Sequence, residues 1–389
     1  MNVRCLSKVS QKEIRGRVFL VRVDLNIEAG EEKNAYRIKA TLPTLRYLLE
    51  HHAKIVLMSH RNRPHFSAAE IRNPNLEIRK KMRAFSLRPF AGILSKKLGT
   101  GVKFVPHFDF EKIEIQIKEA KPKSIFLLEN LRFIAGEEKN DSKLAAQLAS
   151  LGDVFVNDAF AVSHRADASI AAITKCIPSY AGLLLEEEII NLDRAMKEYG
   201  HPLTIILGGA KISDKVGVMK YFWNKADHFL VGGGPANTFF AVQGIPMGKS
   251  LVDTNAMPLI RKYVGKKKVV LPCDVESDKG IILDIGPETV KYFSEIITNS
   301  NTIIWNGPPG FFEKKGFESG TKEIWKAIFK NKRAHIVVGG GETVTSGKLI
   351  SNFKFQISNS RNVFLSTGGG AMLDYLSGKK LPGIEALRR

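Results

Sequence analysis

Short apolar runs separated by segments of helical period recur along this chain, and few architectures accommodate that alternation. The runs at 18–21, 55–58, 125–128 and 154–156 in the first half, and at 203–207, 229–231, 336–338 and 363–365 in the second, have strand length and are rich in Val, Ile, Leu and Phe. Stretches between them, such as 40–51 and 143–151, carry apolar residues at three-to-four spacing. Strands alternating with helices read as βαβ units and a parallel sheet. The pattern occurs twice. Near 178–182 the chain leaves the first strand set, and 183–199 reads as a helix with Leu185, Ile189, Leu192 and Met196 on one face, stopped by Gly200 and Pro202. The expectation is an α/β protein with two parallel-sheet domains joined by that helix. The tail at 381–387 is expected to pack on existing structure, and 66–85 to be an exposed excursion.

In open parallel sheets ligands bind beyond the carboxyl ends of the strands. In the first half those ends carry arginine: Arg22 through Asn26, Ser59 through Arg63, Arg132, and His164-Arg165 after Asn157-Asp158. The planar guanidinium fork gives parallel hydrogen bonds to phosphate or carboxylate, so four such turns predict a site for a compact anion. Arg37 opens a helix and joins them. Asp24 and Asn26 suit a hydroxyl-bearing ligand, or close the strand as an Asx turn. His60 and His164 are open to two readings, proton carrier or hydrogen-bonding group.

The second half replaces arginine with glycine, at 208–209, 232–234, 339–341 and 368–370. Glycine lets backbone approach a ligand, and a following helix start offers N–H groups to phosphate. Glu342 and Thr343 suit magnesium and phosphate there, or act as an ordinary cap. Lys211 and Lys215, four apart, are read as one face of a helix start, a repulsive pairing unless an anion lies between them. Asn306 and Glu313 follow a run at 302–304. The segment 244–250 imitates a P-loop but has three residues between its glycines where four are required.

The net charge of +20, most of it in the first half, admits nucleic acid, acidic lipid or anionic metabolites as partners. The densest basic run, 79–83, is short and lacks interleaved aromatics for stacking bases, so no specific nucleic-acid partner is expected. Cys5, Cys176 and Cys273 are far apart and suggest neither a disulfide framework nor a zinc site. No apolar run reaches membrane-spanning length and the first ten residues lack a signal core, so a soluble, cytoplasmic protein is expected.

These turns, taken in order from Arg22-Val23-Asp24-Leu25-Asn26 through Glu129–Phe133 and Gly208–Lys211 to Trp305–Pro308, Ser366–Ala371 and Leu381–Gly383, resemble the phosphoglycerate kinase family nearly end to end. The resemblance implies two Rossmann-like domains facing across a cleft: 1–182 plus 375–389 for phosphoglycerate, and 200–374 for nucleotide. The helix at 183–199 would serve as the place to look for a hinge. It implies a monomer, and reversible magnesium-dependent transfer from 1,3-bisphosphoglycerate to ADP in glycolysis. Asp24, Leu25, Asn26 and Arg37 would contact the phosphoglycerate, with His60, Arg61, Asn62 and Arg63 from the second turn and Arg132 and Arg165 from the others. Lys211, Lys215, Gly232, Gly233, Gly234, Asn306 and Glu313 would contact ATP or ADP, with Gly340, Gly341, Glu342 and Thr343. Arg37, Lys211, Gly340 and Gly369 would serve the moving phosphoryl group, and Glu342 the magnesium. Several positions depart from the family pattern: Arg61-Asn62 replaces Leu-Gly, Ala161 replaces Gly, Asp167 replaces His, Glu342 replaces Asp, and Pro309 replaces an aliphatic residue. The expected effect is tuned affinity.

Overall fold

Two six-stranded parallel sheets carry the chain, in a computed structural model that describes all residues except 1–2, 29, 31–35, 65, 67–69, 71–74 and 389. The first sheet holds β1 (Val18–Arg22), β2 (Lys54–Met58), β3 (Val102–Val105), β4 (Ile125–Leu128), β5 (Val154–Asn157) and β6 (Ser179–Ala181), in the order β3-β4-β2-β1-β5-β6. The second holds β7 (Leu203–Leu207), β8 (His228–Val231) and β9 (Val269–Val270). After a separate antiparallel hairpin of β10 (Val275–Asp278) and β11 (Ile281–Ile285), it adds β12 (Thr302–Asn306), β13 (His335–Gly339) and β14 (Val363–Leu365). Its order is β14-β13-β12-β7-β8-β9.

Every strand expected from the sequence is present. Those the sequence did not announce are β3, β6 and β9, all at sheet edges, and the hairpin. Residues 178–182, read as the chain leaving the sheet, instead form β6, which pairs in parallel with β5. Edge strands are half exposed and short, so they lack the apolar run that betrays a central strand.

The middles of the central strands are apolar because both sheet faces are covered. On β1, Phe19 and Val21 enter one core cluster and Leu20 the other. In the second sheet Trp305, Ile303, Ile336 and Val338 share a cluster, while Ile304 and Val337 are buried on the opposite face. Each such side chain contributes about 1.5–3 kcal/mol relative to exposure. The strand order has a direct consequence for the site. The four arginine turns follow β4, β2, β1 and β5, which are consecutive neighbours. The glycine turns likewise follow β14, β13, β7 and β8, with the Asn306 turn on β12 between them.

Packing divides the chain into Met1–Ile189 with Lys380–Arg389, and Ile190–Lys379. The boundary falls inside the helix Leu183–Lys197, two residues shorter than the expected 183–199. Its first turn is held by two side chains. Leu183 N–H donates to Thr44 Oγ1 and Leu184 N–H to Asp158 Oδ1, both at 3.0 Å. A side chain at Gly182 would overlap Asp158, so glycine is required there. The tail packs back through Gly383 N–H on the Ser163 carbonyl. In the expected excursion, Leu76–Phe85 is a helix capped by Asn75, and much of what precedes it lies outside the described residues.

Candidate functional site

In the first unit the turns after β1 and β2 are built on a buried relay. Arg22 is fully buried. Its Nε donates to Ser169 Oγ at 3.0 Å, one terminal nitrogen to the Val23 carbonyl at 2.6 Å, and the other to His60 Nδ1 at 3.0 Å. Ser169 in turn donates from Oγ and N–H to the two carboxylate oxygens of Glu137, at 2.6 and 3.0 Å. Burial pushes the Glu137 carboxyl up, and Arg22 and Ser169 pull it back. Arg22 is therefore spent inside the fold, although its place in the sequence matches that of the other strand-end arginines.

His60 is also fully buried. Burial, then the charges of Arg22, Arg132, Arg165 and Arg37, hold it well below the ordinary histidine range, so the ring is neutral. Arginine only donates, so Nδ1 accepts from Arg22 and the ring proton sits on Nε2. A neutral ring already engaged by Arg22 favours the hydrogen-bonding reading of His60 over the proton carrier. Arg165 NH1 stands 3.4 Å from that same Nε2. Two donors thus face each other, an arrangement that an anionic oxygen between them would satisfy.

Arg132 completes the cluster. Its NH2 donates to Asp167 Oδ2 at 2.8 Å, with both side chains buried. Glu138 Oε1 comes to 2.9 Å from NH1 but out of line for a hydrogen bond, and Nε and NH1 are buried with no hydrogen-bond partner among the described residues. Buried unmatched donors of this kind call for a ligand. Arg63 is exposed, and its charge presses on Arg132 and Arg165. Arg37 lies 3.1 Å from Asp24 Oδ2 and donates to the Asn26 carbonyl at 2.8 Å. Asp24 Oδ1 closes an Asx turn on Asn26 N–H at 3.0 Å, and Asn26 Oδ1 accepts from Asn62 N–H at 2.8 Å. That leaves the Asn26 amide nitrogen as the available donor.

Two expected contacts move away from this cluster. The Leu25 side chain belongs to the core, and only its backbone faces the turn, bonded to Ser59 Oγ at 2.9 Å. Arg61 is buried with Nε on the Ile27 carbonyl at 3.1 Å and its guanidinium over the Phe90 ring at 5.3 Å. Its added charge braces the turn from behind. Asn62, standing where the family pattern has glycine, adopts φ +58°, a left-handed conformation that Asn tolerates better than most residues.

In the second unit a polar cavity of about 870 Å³ is lined by Lys211, Lys215, Asn306, Gly340, Gly341, Glu342, Thr343, Gly369 and Gly370, among others. An apolar cavity of about 330 Å³ adjoins it, walled by Phe240, Leu251, Val275, Ile281, Leu283 and Phe311, with Gly233, Gly234, Asn237 and Glu313. Both share Gly209, Ala210 and Glu342. An apolar chamber opening into a cationic and glycine-rich one has the layout of a nucleotide site, base in the first and phosphates in the second. Part of the apolar wall, Val275, Ile281 and Leu283, went unread in the sequence because the β10–β11 hairpin that supplies it was not recognised.

Lys211 and Lys215 line the same cavity, but not as a helical pair. The helix begins at Val216, and Lys215 Nζ turns back to donate to the Lys211 carbonyl at 3.0 Å. Burial lowers the Lys215 pKa, opposed by Asp214, Glu342 and Asp253. Glu342 Oε2 and Lys215 Nζ lie 3.7 and 3.9 Å from the point where a side chain at Gly209 would begin, so acid and ammonium flank one spot.

The glycines separate into two kinds. A side chain at Gly208, Gly234 or Gly307 would overlap the backbone of a neighbouring turn, one at Gly233 would come within 2.9 Å of the Gly209 carbonyl, and one at Gly232 within 2.7 Å of Pro309. These glycines let turns stack on one another; Gly233 and Gly234 also line the apolar cavity and Gly307 the polar one, while Gly232 lines neither. Gly341, Gly369 and Gly370 have nothing within 4 Å of such a side chain and face open space. Gly340 has φ +94°, which disfavours any side chain. Its neighbour Thr343 accepts from Gly307 N–H at 2.8 Å, tying this turn to the Asn306 turn.

The described residues include no group of three or more His, Cys, Asp and Glu side chains placed to hold a metal ion. A single carboxylate beside a phosphate-sized cavity does fit magnesium, which binds through one or two carboxylates, water and substrate phosphates.

Residues 9–379 match the family model described as phosphoglycerate kinase. A phosphoglycerate kinase of Pseudothermotoga lettingae is 39% identical, over 98% of this chain and 99% of its own length. One of Dictyoglomus turgidum is 37% identical over the whole of both chains. Among solved structures, phosphoglycerate kinase from Coxiella burnetii aligns with TM-score 0.78 and 32% identity, and that from Pyrococcus horikoshii OT3 with TM-score 0.84 and 29% identity. Each alignment covers 99% of this chain and 98% of the other.

Proposed function

The chain belongs to the phosphoglycerate kinase family, and from that premise we propose how its residues share the work. It is a phosphotransferase with a carboxyl group as acceptor, moving a phosphoryl group reversibly between 1,3-bisphosphoglycerate and ADP. The observation that carries the residue assignment is the pair of donors facing each other, His60 Nε2 and Arg165 NH1, beside the unmatched nitrogens of Arg132. In this reading Arg63, Arg132, Arg165 and His60 hold the phosphoglycerate anion, while Asp24 and Asn26 meet its hydroxyl. The proposed domain assignment is 1–182 with 375–389 for this substrate and 200–374 for ATP or ADP, while packing puts 375–379, with the end of the helix Gly370–Leu376, in the second unit. Glu313 and the apolar cavity take the nucleoside, and Lys211, Lys215, Asn306 and the open glycine turn from Gly340 to Thr343 take its phosphates. Glu342 would hold magnesium together with those phosphates, and the ion would supply charge neutralisation there.

In the ATP-forming direction a β-phosphate oxygen of ADP attacks the acyl phosphorus. The bond from phosphorus to the acyl oxygen breaks, and the carboxylate of 3-phosphoglycerate leaves with the electron pair. The attacking oxygen is already ionised, so no general base is needed, in keeping with a neutral, buried His60. Catalysis is then positioning and charge stabilisation. Arg37, Lys211 and the backbone amides at Gly340 and Gly369 are assigned to the equatorial oxygens of the moving group. A monomer in the cytoplasm is the form this reading takes from the family; among the described residues no helix is long and apolar enough to cross a membrane.

The test is a coupled assay of ATP consumption with 3-phosphoglycerate. The wild type should turn over only with both substrates. Arg37→Ala should lose about 100-fold or more in kcat, the scale of removing one donor to a transition-state oxyanion. An inactive wild type refutes the function, and a fully active variant refutes the role of Arg37.

A further inference from the structure

Asp167 is a buried carboxylate, 4% exposed, inside a cluster whose ligand is anionic. Its backbone carbonyl accepts from Ile170 and Ala171 N–H, a turn that other residue types could also close. The side chain is therefore not required by the local fold. It bonds Arg132 NH2 at 2.8 Å, and its charge also acts on Arg22 and Arg165. Arg22 already has a buried counter-charge in Glu137, reached through Ser169. Asp167 thus does more than balance a stray cation. It places negative charge against the arginines that face the ligand.

We propose that Asp167 determines affinity and specificity at the phosphoglycerate site. It holds Arg132 through NH2, leaving Nε and NH1 without a hydrogen bond among the described residues although Glu138 lies 2.9 Å from NH1, and it limits how much anionic charge the cluster accepts. This rests on the assignment of the arginine cluster to phosphoglycerate. Two effects of the carboxylate oppose each other: orientation of Arg132 favours binding, and repulsion of the incoming anion weakens it. Repulsion dominates, because the pair is buried, where charges are poorly screened, and the ligand carries several negative charges. Arg132 is also held by its own burial, so losing one hydrogen bond leaves it in place. The site discriminates by total charge, and the more highly charged ligand is penalised more.

Asp167→Asn separates the two effects, since the amide oxygen can still accept from Arg132 NH2. Calorimetric titration of the full chain with 3-phosphoglycerate should show Kd falling on the order of tenfold in Asp167→Asn. Asp167→Ala should also bind more tightly than wild type, but gain less, because the strut is lost. KM for 3-phosphoglycerate should follow these shifts, while KM for ATP stays within about twofold, a split that general loosening of the fold does not produce. The advantage of Asp167→Asn should largely persist as salt is raised, because buried charges are screened little. Unchanged or weaker binding in both folded variants overturns the proposal and leaves Asp167 as a strut. A wild type that binds ATP but no 3-phosphoglycerate overturns the function assigned to the cluster, and the role of Asp167 with it.

Discussion

Arg22→Met should destabilise the first unit heavily while leaving its shape intact, and the size of the loss follows from what Arg22 touches. The variant removes hydrogen bonds to Ser169, Val23 and His60, and strips the buried Glu137 carboxylate of its counter-charge. Breaking a buried pair from one side costs about 3–5 kcal/mol. For a unit of roughly 200 residues, each kcal/mol moves Tm by about 2–4 °C, so a drop on the order of 10 °C is expected. The pH dependence is fixed in sign. Burial already holds the folded pKa of Glu137 above its unfolded value, and Arg22 is the largest influence pulling it down. Without Arg22 the folded pKa rises further. A raised carboxyl contributes stability that is complete below its unfolded pKa and is lost as pH rises through the folded pKa. The deficit of Arg22→Met against wild type should therefore be smallest near the ordinary carboxyl range and widen toward pH 8. Denaturant unfolding across that range measures it. The double variant Arg22→Met, Glu137→Met should regain most of the loss, because removing both partners leaves no orphaned charge. A deficit that does not vary with pH, or a double variant no better than the single, would refute the relay.

Two further outcomes are expected. Gly234→Ala should cost about 1–3 kcal/mol, because a side chain there overlaps the Ala210 carbonyl, while Gly341→Ala should leave stability within about 0.5 kcal/mol and raise KM for ATP; melting curves and kinetics separate the two kinds of glycine. Burial pushes Asp158 up to about 7, so its contribution is complete below the ordinary aspartate value and lost as pH rises through about 7. Asp158→Asn should accordingly gain in Tm relative to wild type between pH 5 and pH 8, and a constant difference across that range would remove the carboxyl from the account.

The sheets were legible because the middle of a strand covered on both faces must be apolar, as at 19–21 in β1, 55–58 in β2, 125–128 in β4, 154–156 in β5, 205–207 in β7, 303–305 in β12 and 336–338 in β13. Their neighbourhood was not legible, since order within a sheet is set by contacts distant in sequence. The arginine turns could be found as a group, yet their separate roles could not. Arg22, Arg61 and Arg132 each follow an apolar run or sit in the turn after one. Arg22 is turned inward by Ser169, 147 residues away, and Arg61 by the Ile27 carbonyl, 34 residues away. Arg132 meets Asp167 and keeps two nitrogens unmatched. The same holds for glycine: Gly234 and Gly341 look alike in the sequence, and only the Ala210 carbonyl distinguishes them. The lysine spacing misled for another reason. It assumed a helix before Val216, where the chain makes a turn.

The two clusters solve one physical problem by different means. A donor aimed at an anion is useful only if it is already held in place, because freezing it on binding would cancel much of the gain. Arginine side chains are long and lose up to about 2 kcal/mol of rotamer freedom when fixed, so the first unit restrains its donors through buried acids. Glu137 acts through Ser169 and Arg22 on His60, and Asp167 acts on Arg132. Backbone amides need no such partners. The second unit fixes them by stacking one turn against the next, with glycine wherever a side chain would collide. The consequence is that the clusters should fail differently. Changes of charge or pH act on the first, because its geometry depends on buried carboxylates. The second should be indifferent to most charge changes outside Lys211, Lys215 and Glu342, and intolerant of a single added methyl at Gly208, Gly234 or Gly307.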